Sequence, residues 1–181
     1  MTKAKLALVL LLVAVFSVGV SAPQGPPPWR YMKEDDPLHE KIYDKFILDG
    51  KYLKSPRIIP ESGPSLVIVC HGGKVEQNYI VVGAVIATRN AGILGEIPSG
   101  LEARIDGKKK SLLATGVSTD GLAFYFTRLD LHDVLKGHQA IIGVSEYLGA
   151  QVVMQFDVPD PAAVLSGCAK DKMLHPKKWY R

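Results

Sequence analysis

The stretch LEARIDGKKKSLLAT, residues 101–115, decides the fold class of this chain. Apolar residues at positions 101, 103 and 105 alternate with charged ones as far as Asp106-Gly107, and a second segment returns from Lys109 to Thr115. Strict alternation is typical of a half-buried strand. Asp-Gly between two such segments favours a type I′ turn, because both central residues of that turn take positive φ. We therefore predict an antiparallel hairpin here.

The same pattern of short strands and turns continues on both sides of this hairpin. A turn at Ser118–Gly121 leads into a strand over Leu122–Phe126, and Leu148-Gly149 joins His138–Tyr147 to Ala150–Val158. In the last of these segments one face is apolar throughout. Its residues are Val152, Met154, Phe156 and Val158.

A continuous apolar run, Leu66–Cys70, predicts a strand that is buried on both faces. We expect Tyr79–Ala87 to pair with it, and Trp29–Glu34 and Ile42–Leu48 to form two weaker strands. With the segments above, this gives a mainly β protein, an antiparallel β-sandwich of about nine strands.

Two short helices complete the predicted fold. Asp130 is placed to cap a helix over Leu131–Lys136, which Gly137 ends. Asp160 is placed to cap a second helix, with Pro161 at its first position and Gly167 at its end.

The first 21 residues have the organisation of a signal peptide. Lys3 and Lys5 precede an apolar run from Leu6 to Val20, and small residues follow, so we expect cleavage after Ser21. Residues 22–28 then form a Pro-rich tether. No later segment approaches the roughly 20 apolar residues of a membrane span. The expected location is therefore periplasmic or secreted.

Charge excludes one class of partner. Removing Lys3 and Lys5 lowers the formal net charge from +4 to about +2. A strongly basic nucleic-acid binder is therefore excluded.

Cys70 and Cys168 are the two cysteines of the chain. In an exported protein they are expected to form a disulfide bond, since the compartment is oxidising. Two free buried thiols are the alternative.

We predict the folded domain over residues 29–168 and a basic, flexible tail over residues 169–181. The end of the tail combines cations with aromatic rings, which suits an anionic surface or the groove of a partner. The residues concerned are Lys177, Lys178, Trp179 and Tyr180. A solvated tail without a partner is the alternative.

A Gly-rich connection over Asn90–Gly100 is the second candidate for partner binding. Ile93, Leu94 and Ile97 give it an apolar character. Loops with apolar tips on a rigid scaffold are common binding elements, although these residues would equally suit a loop that folds back under the sheet.

The sequence offers few candidates for catalysis. Cys70 and His71 are neighbours on a predicted strand, so their side chains point to opposite faces and cannot form a catalytic pair. No usual zinc spacing is present. A hydrolase site assembled in three dimensions would draw on Asp157, Asp160, His132 or His138, and a metal site on His132, Asp133 and His138. We expect neither, and no cofactor.

Five features of the sequence occur in a characteristic order: the Trp-led first strand, Pro64–Cys70, Leu101–Lys108, the turn Ser118–Gly121, and Phe156–Val158 before a helix that ends in Cys168. In this order they resemble the exported VasI/TagO-like accessory proteins of type VI secretion systems and, more loosely, the invasion-associated locus B proteins. The resemblance covers most of residues 29–168. It implies a non-enzymatic envelope protein and supplies no catalytic residues.

The function that we expect is that of an exported, non-enzymatic binding or accessory protein of the bacterial cell envelope. Its partner would be an envelope protein or a glycan whose identity is unknown. The alternatives are a secreted hydrolase and an enzyme inhibitor that presents the loop over residues 90–100.

Overall fold

The computed structural model describes residues 28–58, 60–90 and 95–175. The predicted signal peptide, the tether up to residue 27 and residues 176–181 lie outside this part of the chain. The strands are β1 (Arg30–Asp36), β2 (Lys41–Asp49), β3 (Lys51–Lys54), β4 (Ser65–His71), β5 (Lys74–Val81), β6 (Thr88–Asn90), β7 (Glu96–Pro98), β8 (Glu102–Ile105), β9 (Lys108–Lys110), β10 (Ala114–Val117), β11 (Ala123–Phe126), β12 (Gln139–Ser145) and β13 (Gln151–Asp157). The helices are α1 (Arg128–Lys136) and α2 (Ala162–Gly167).

Two antiparallel sheets build the domain, which confirms the predicted sandwich architecture. A six-stranded sheet has the order β1-β2-β4-β5-β11-β10, and a five-stranded sheet has the order β3-β13-β12-β8-β9. A two-stranded ribbon, β6-β7, stands beside them. Phe46, Ile68 and Phe124 of the first sheet share one core with Ile142 and Phe156 of the second.

The central strand β4 is buried on both faces, as its apolar run predicts. Leu66, Ile68 and Cys70 on one face and Val67 and Val69 on the other are all nearly inaccessible to solvent. Both faces of this strand are covered by neighbouring parts of the protein. Polar side chains at these positions would lose their contact with water, which explains why the run contains none.

The strand that pairs with β4 begins earlier than predicted. It is β5, and it ends at Val81 rather than at Ala87. Gly72 and Gly73 both have positive φ, 57° and 82°, so a tight turn joins the two strands directly.

The number of strands, 13 in the described residues, exceeds the predicted nine. Three of the four additional strands, β3, β6 and β7, lie in segments where the sequence predicts no strand. The fourth arises because the predicted single strand from Lys109 to Thr115 is divided: the chain leaves the five-stranded sheet after β9 and enters the six-stranded sheet with β10. Leu112 is buried at this crossing.

Helix α1 begins three residues before its predicted start. The Thr127 side chain caps it, because its hydroxyl oxygen accepts the backbone N–H of Asp130 at 3.2 Å. Asp130 is therefore not the capping residue. Its buried carboxylate accepts the Thr127 hydroxyl at 2.6 Å and the backbone N–H of Leu113 at 2.9 Å, which ties the helix to the crossing between the sheets.

Helix α2 delivers Cys168 to the central strand. The Asp160 carboxylate accepts the N–H of Ala162 at 3.0 Å, as a capping residue would, but Pro161 stands just before the helix rather than at its first position. Cys168 is bonded to Cys70, with their Cα atoms 5.7 Å apart. The predicted disulfide bond is confirmed.

The fold extends beyond Cys168, so the predicted boundary between domain and tail is wrong. Leu174 belongs to the hydrophobic core. Asp171 is buried, and its carboxylate accepts the N–H of Val75 at 3.1 Å and lies 3.5 Å from Arg128. This segment consists of turns, and only single side chains such as Leu174 and Asp171 reach the interior. Alternation and helical periodicity therefore do not detect it.

The Asp106-Gly107 turn has the predicted geometry and adds a pH-dependent contact. Both residues have positive φ. The Asp106 carboxylate accepts the backbone N–H groups of His138 and Gln139 at 2.9 and 3.0 Å. These hydrogen bonds lower the pKa of Asp106, and the one from His138 has the larger effect.

Asp106→Asn is expected to destabilise the protein at neutral pH and to make little difference in acid. Asn tolerates the left-handed conformation, but its amide accepts hydrogen bonds more weakly than a carboxylate. Because the folded-state pKa lies below the unfolded value, the advantage of Asp is complete above that value, near 4, and is lost as the pH falls through the folded-state pKa. Urea unfolding of both proteins at pH 6 and at about pH 2.5 measures this difference. A gap that does not change with pH would contradict the prediction.

Candidate ligand pocket

A pocket of about 340 Å³ opens among connections between the strands. Its walls come from four connections: the residues after β3, the segment after β5, the turn before β11, and the β12–β13 turn. The residues that matter below are Arg57, Ile58, Val85, Glu146, Tyr147 and Leu148. The volume falls at the lower end of the range for small-molecule sites.

Backbone hydrogen bonds join these connections and fix the pocket. The N–H of Ile86 donates to Gly121 O at 2.9 Å, and that of Tyr147 donates to Val85 O at 2.8 Å. The N–H of Arg57 donates to the Glu146 carboxylate at 3.2 Å. The walls are therefore held in place without a ligand.

Gly83 allows the segment after β5, which forms one wall of the pocket, to pass close to Pro60 and Tyr52. It has φ of 73°, and a Cβ atom there would lie 2.7 Å from Pro60 Cγ and 2.8 Å from the Tyr52 hydroxyl. That hydroxyl donates to Val82 O at 2.7 Å. Burial raises the pKa of Tyr52, which keeps the phenol protonated as this donor role requires. Glycine is thus needed both for its conformation and for its size.

Exposed apolar side chains surround the opening. Ile58, Val85, Tyr147 and Leu148 line the pocket, and each is more than half exposed. Single exposed apolar residues are ordinary, but four around one cavity make the continuous apolar surface that ligand sites commonly show.

One carboxylate lies within this apolar surface. Glu146 is 5% exposed, and its Oε1 atom has no hydrogen-bond partner. The closest cation is the Arg57 side chain, whose Nε lies 3.6 Å from Oε1. That distance is beyond hydrogen-bond range.

A second, larger groove of about 700 Å³ lies on another part of the surface, between Leu113, Leu129 and Met173. Its buried polar groups are already paired. Asn78 donates to Phe126 O at 2.8 Å, and Asp130 accepts from Thr127 and Leu113. The groove therefore lacks the unpaired polar atom that distinguishes the pocket at Glu146.

The predicted binding loop differs from the structure where it can be compared. β6 and β7 form a short ribbon across it. Ile97 is 9% exposed and packs in the core, so it is not part of an exposed apolar tip. Ile93 and Leu94 lie outside the described residues, as do Lys177, Lys178, Trp179 and Tyr180.

The four residues considered for a hydrolase are each held by other groups. Hydrogen bonds from Gln155 and Gln139, with the nearby Lys51, lower the pKa of Asp157, whereas a general acid requires a raised one. Asp160 binds the start of α2. Burial, with Lys136 nearby, lowers the pKa of His132.

His138 and the other metal-binding candidates do not form a cluster. The His138 Nδ1 atom is 3.8 Å from Asp106, and His132 Nδ1 is 3.8 Å from Asp133. Among the residues that the structure describes, no three His, Cys, Asp or Glu side chains are grouped so that they could hold a metal ion.

His71 is not paired with Cys70. Its Nδ1 atom lies 3.0 Å from Ile42 O and its ring contacts Tyr43, while the sulfur of Cys70 is in the disulfide bond. Opposite side-chain directions on a strand account for this separation.

Sequence reasoning missed the pocket residues. Glu146 follows a buried strand and precedes a turn, which is ordinary for an exposed acid. Arg57 and Ile58 stand in SPRIIPESG, residues 55–63, where apolar residues occur in a Pro- and Gly-containing connection. The criterion that selected the loop over residues 90–100 would also have selected this segment.

Comparisons of the chain with known protein families, with curated proteins and with solved structures find no match. Within the described residues no helix has the length and hydropathy to cross a membrane.

Proposed function

We propose that this chain is an exported, non-enzymatic binding or accessory protein of the bacterial cell envelope, and that the pocket beside Glu146 receives its ligand. The observation that carries the proposal is the preformed pocket with its exposed apolar rim. Ordered walls lower the entropic cost of binding, because little of the protein must be fixed when the ligand enters.

The disulfide bond supports an extracytoplasmic location. Such bonds persist mainly in oxidising compartments. The resemblance to VasI/TagO-like proteins agrees with the proposal, since it also implies an envelope protein without catalytic residues.

The arrangement of titratable groups supports a binding role over a hydrolytic one. Asp157, Asp160, His132 and His138 have separate hydrogen-bond or ion-pair partners. Catalysis would require two of them to converge on one reacting atom.

Export predicts a defined N terminus. Protein recovered from the periplasm or the medium of the producing cells is expected to begin at Ala22, because the small residues before it fit signal peptidase. N-terminal sequencing measures this. Intact Met1 in a membrane fraction would contradict the proposal.

Ligand binding can be tested with 1-hexanol as a neutral apolar probe. In amide NMR spectra we expect saturable shifts at Gly83, Val85 and Tyr147. Val85→Asp is expected to weaken binding about fivefold or more, which corresponds to about 1 kcal/mol, because a carboxylate on the rim would lose hydration. Leu53→Asp is the matched control, since Leu53 and Val85 are both 52% exposed and Leu53 does not line the pocket.

If the amide shifts were confined to Leu113 and Leu129, the probe would bind in the second groove, which would contradict the assignment of the ligand site to the pocket beside Glu146. Equal weakening by the two substitutions would also contradict it, because the effect would then not be local to the pocket.

A further inference from the structure

We propose that the pocket selects a ligand with a protonated amine or guanidinium group on an apolar body, and that Glu146 binds this cation. The inference rests on the proposed function, because it concerns the same pocket. It adds the chemical class of the ligand.

The first argument is the unpaired oxygen of Glu146. Its Oε2 atom accepts the N–H of Arg57, but Oε1 is buried without a hydrogen-bond partner. A carboxylate oxygen that has left water and found no donor is unfavourable. A donor from a ligand would remove this cost, and a charged donor would do so most effectively.

The second argument is the weak hold of Arg57 on this carboxylate. The Arg57 side chain is 60% exposed, and its Nε atom is 3.6 Å from Oε1. An exposed arginine at this distance contributes little attraction, and water can hydrate it when it moves away. A ligand cation can therefore take its place at small cost, while the backbone N–H of Arg57 continues to hold Oε2.

The third argument excludes the opposite charge. Arg57 could attract an anion, but its charge is already hydrated at the surface. An anion that entered the pocket would approach the buried Glu146 carboxylate, where repulsion is stronger than in water. Glu146, which is more deeply buried than Arg57, therefore determines that the pocket prefers a cation to an anion.

The rim provides the surface for an apolar body. Val85 and Leu148 offer aliphatic contacts next to Glu146. Tyr147 is exposed and lines the same pocket, and an aromatic ring favours a nearby cation over a neutral group.

Three probes of equal length test the charge preference in the purified protein at pH 7: hexylammonium, 1-hexanol and hexanoate, each titrated by amide NMR. We expect hexylammonium to bind about tenfold more tightly than hexanol, and hexanoate to bind more weakly than both. Equal affinities for hexylammonium and hexanol would overturn the inference and leave the proposed function intact. An absence of saturable shifts at the pocket for every probe would overturn both.

Two substitutions make the test specific to the proposed contact. Arg57→Gln removes the competing cation and keeps the backbone donor, so hexylammonium is expected to bind about threefold or more tightly to this variant. A folding defect cannot produce such a gain. Glu146→Gln is expected to remove the preference for hexylammonium while hexanol still binds, which shows that the pocket is intact. If Arg57→Gln weakens amine binding, or Glu146→Gln keeps the preference, the inference is wrong.

A further arm distinguishes the source of the cation. The peptide acetyl-Leu-Lys-Leu-amide is compared with its norleucine analogue and with hexylammonium. Tighter binding of the lysine peptide than of hexylammonium assigns the site to a basic side chain of a partner protein. Tighter binding of hexylammonium assigns it to a free amine. If the lysine and norleucine peptides bind equally, the charge preference is overturned for peptides.

Discussion

Replacing Cys70 and Cys168 together with alanine is expected to lower the free energy of unfolding by about 2 to 5 kcal/mol. The bond closes a loop of 98 residues and joins the central strand to the end of α2. Without it, the unfolded chain gains conformational freedom. Both cysteines are also fully buried, so the alanines leave space in the core.

Urea unfolding measures the effect, and reduced wild-type protein is the control. The reduced protein keeps both side chains, so its loss of stability reports the bond alone, and any further loss in the double variant reports packing. A change below about 1 kcal/mol in the double variant would show that the bond contributes little to stability.

A chain that ends at Cys168 is expected to be less stable than one that ends at His175 by about 3 to 5 kcal/mol. Loss of a buried leucine costs about 2 to 5 kcal/mol, and leaving the Val75 N–H without its acceptor Asp171 costs about 1 to 3 kcal/mol. The expected loss is in the lower part of the summed range, because a truncated chain can partly rearrange. Both truncated proteins retain Cys168, so the disulfide bond does not contribute to the difference.

Neighbouring substitutions provide the matched control for this segment. Leu174→Ala is expected to cost about 2 to 4 kcal/mol, because Leu174 is 4% exposed. Met173→Ala is expected to change stability by less than about 0.5 kcal/mol, because Met173 is 56% exposed. If the two truncated chains were equally stable, residues 169–175 would not contribute to the fold, and the flexible tail predicted from the sequence would be correct.

The fold class was predictable because its signals are local. Alternation over residues 101–105 and the Asp106-Gly107 turn determine a hairpin within one short window, and the continuous run in β4 records burial on both faces. The crossing near Leu112 could not be predicted in the same way. A strand that changes sheets keeps its apolar residues, and their spacing does not show which sheet they face.

The candidate site could not be predicted, because its features depend on residues far apart in the sequence. Glu146 is unusual only when its burial and its distance from Arg57 are known, and 89 residues separate the two. Asp130 shows the same difficulty at shorter range. Its position before an apolar helix face favours a capping role, but the capping residue is Thr127, and Asp130 binds a neighbouring connection.

The pairing of β3 with β13 has a consequence for the order of folding. Lys54 of β3 lies opposite Val153 of β13, so this edge strand acquires its neighbour only when segments roughly 100 residues apart in the sequence come together. Contacts of such long range slow folding and leave strand edges exposed in the meantime. Until β13 is in place, β3 has no neighbour in the sheet. Its unpaired backbone groups can then pair with another chain, which favours aggregation.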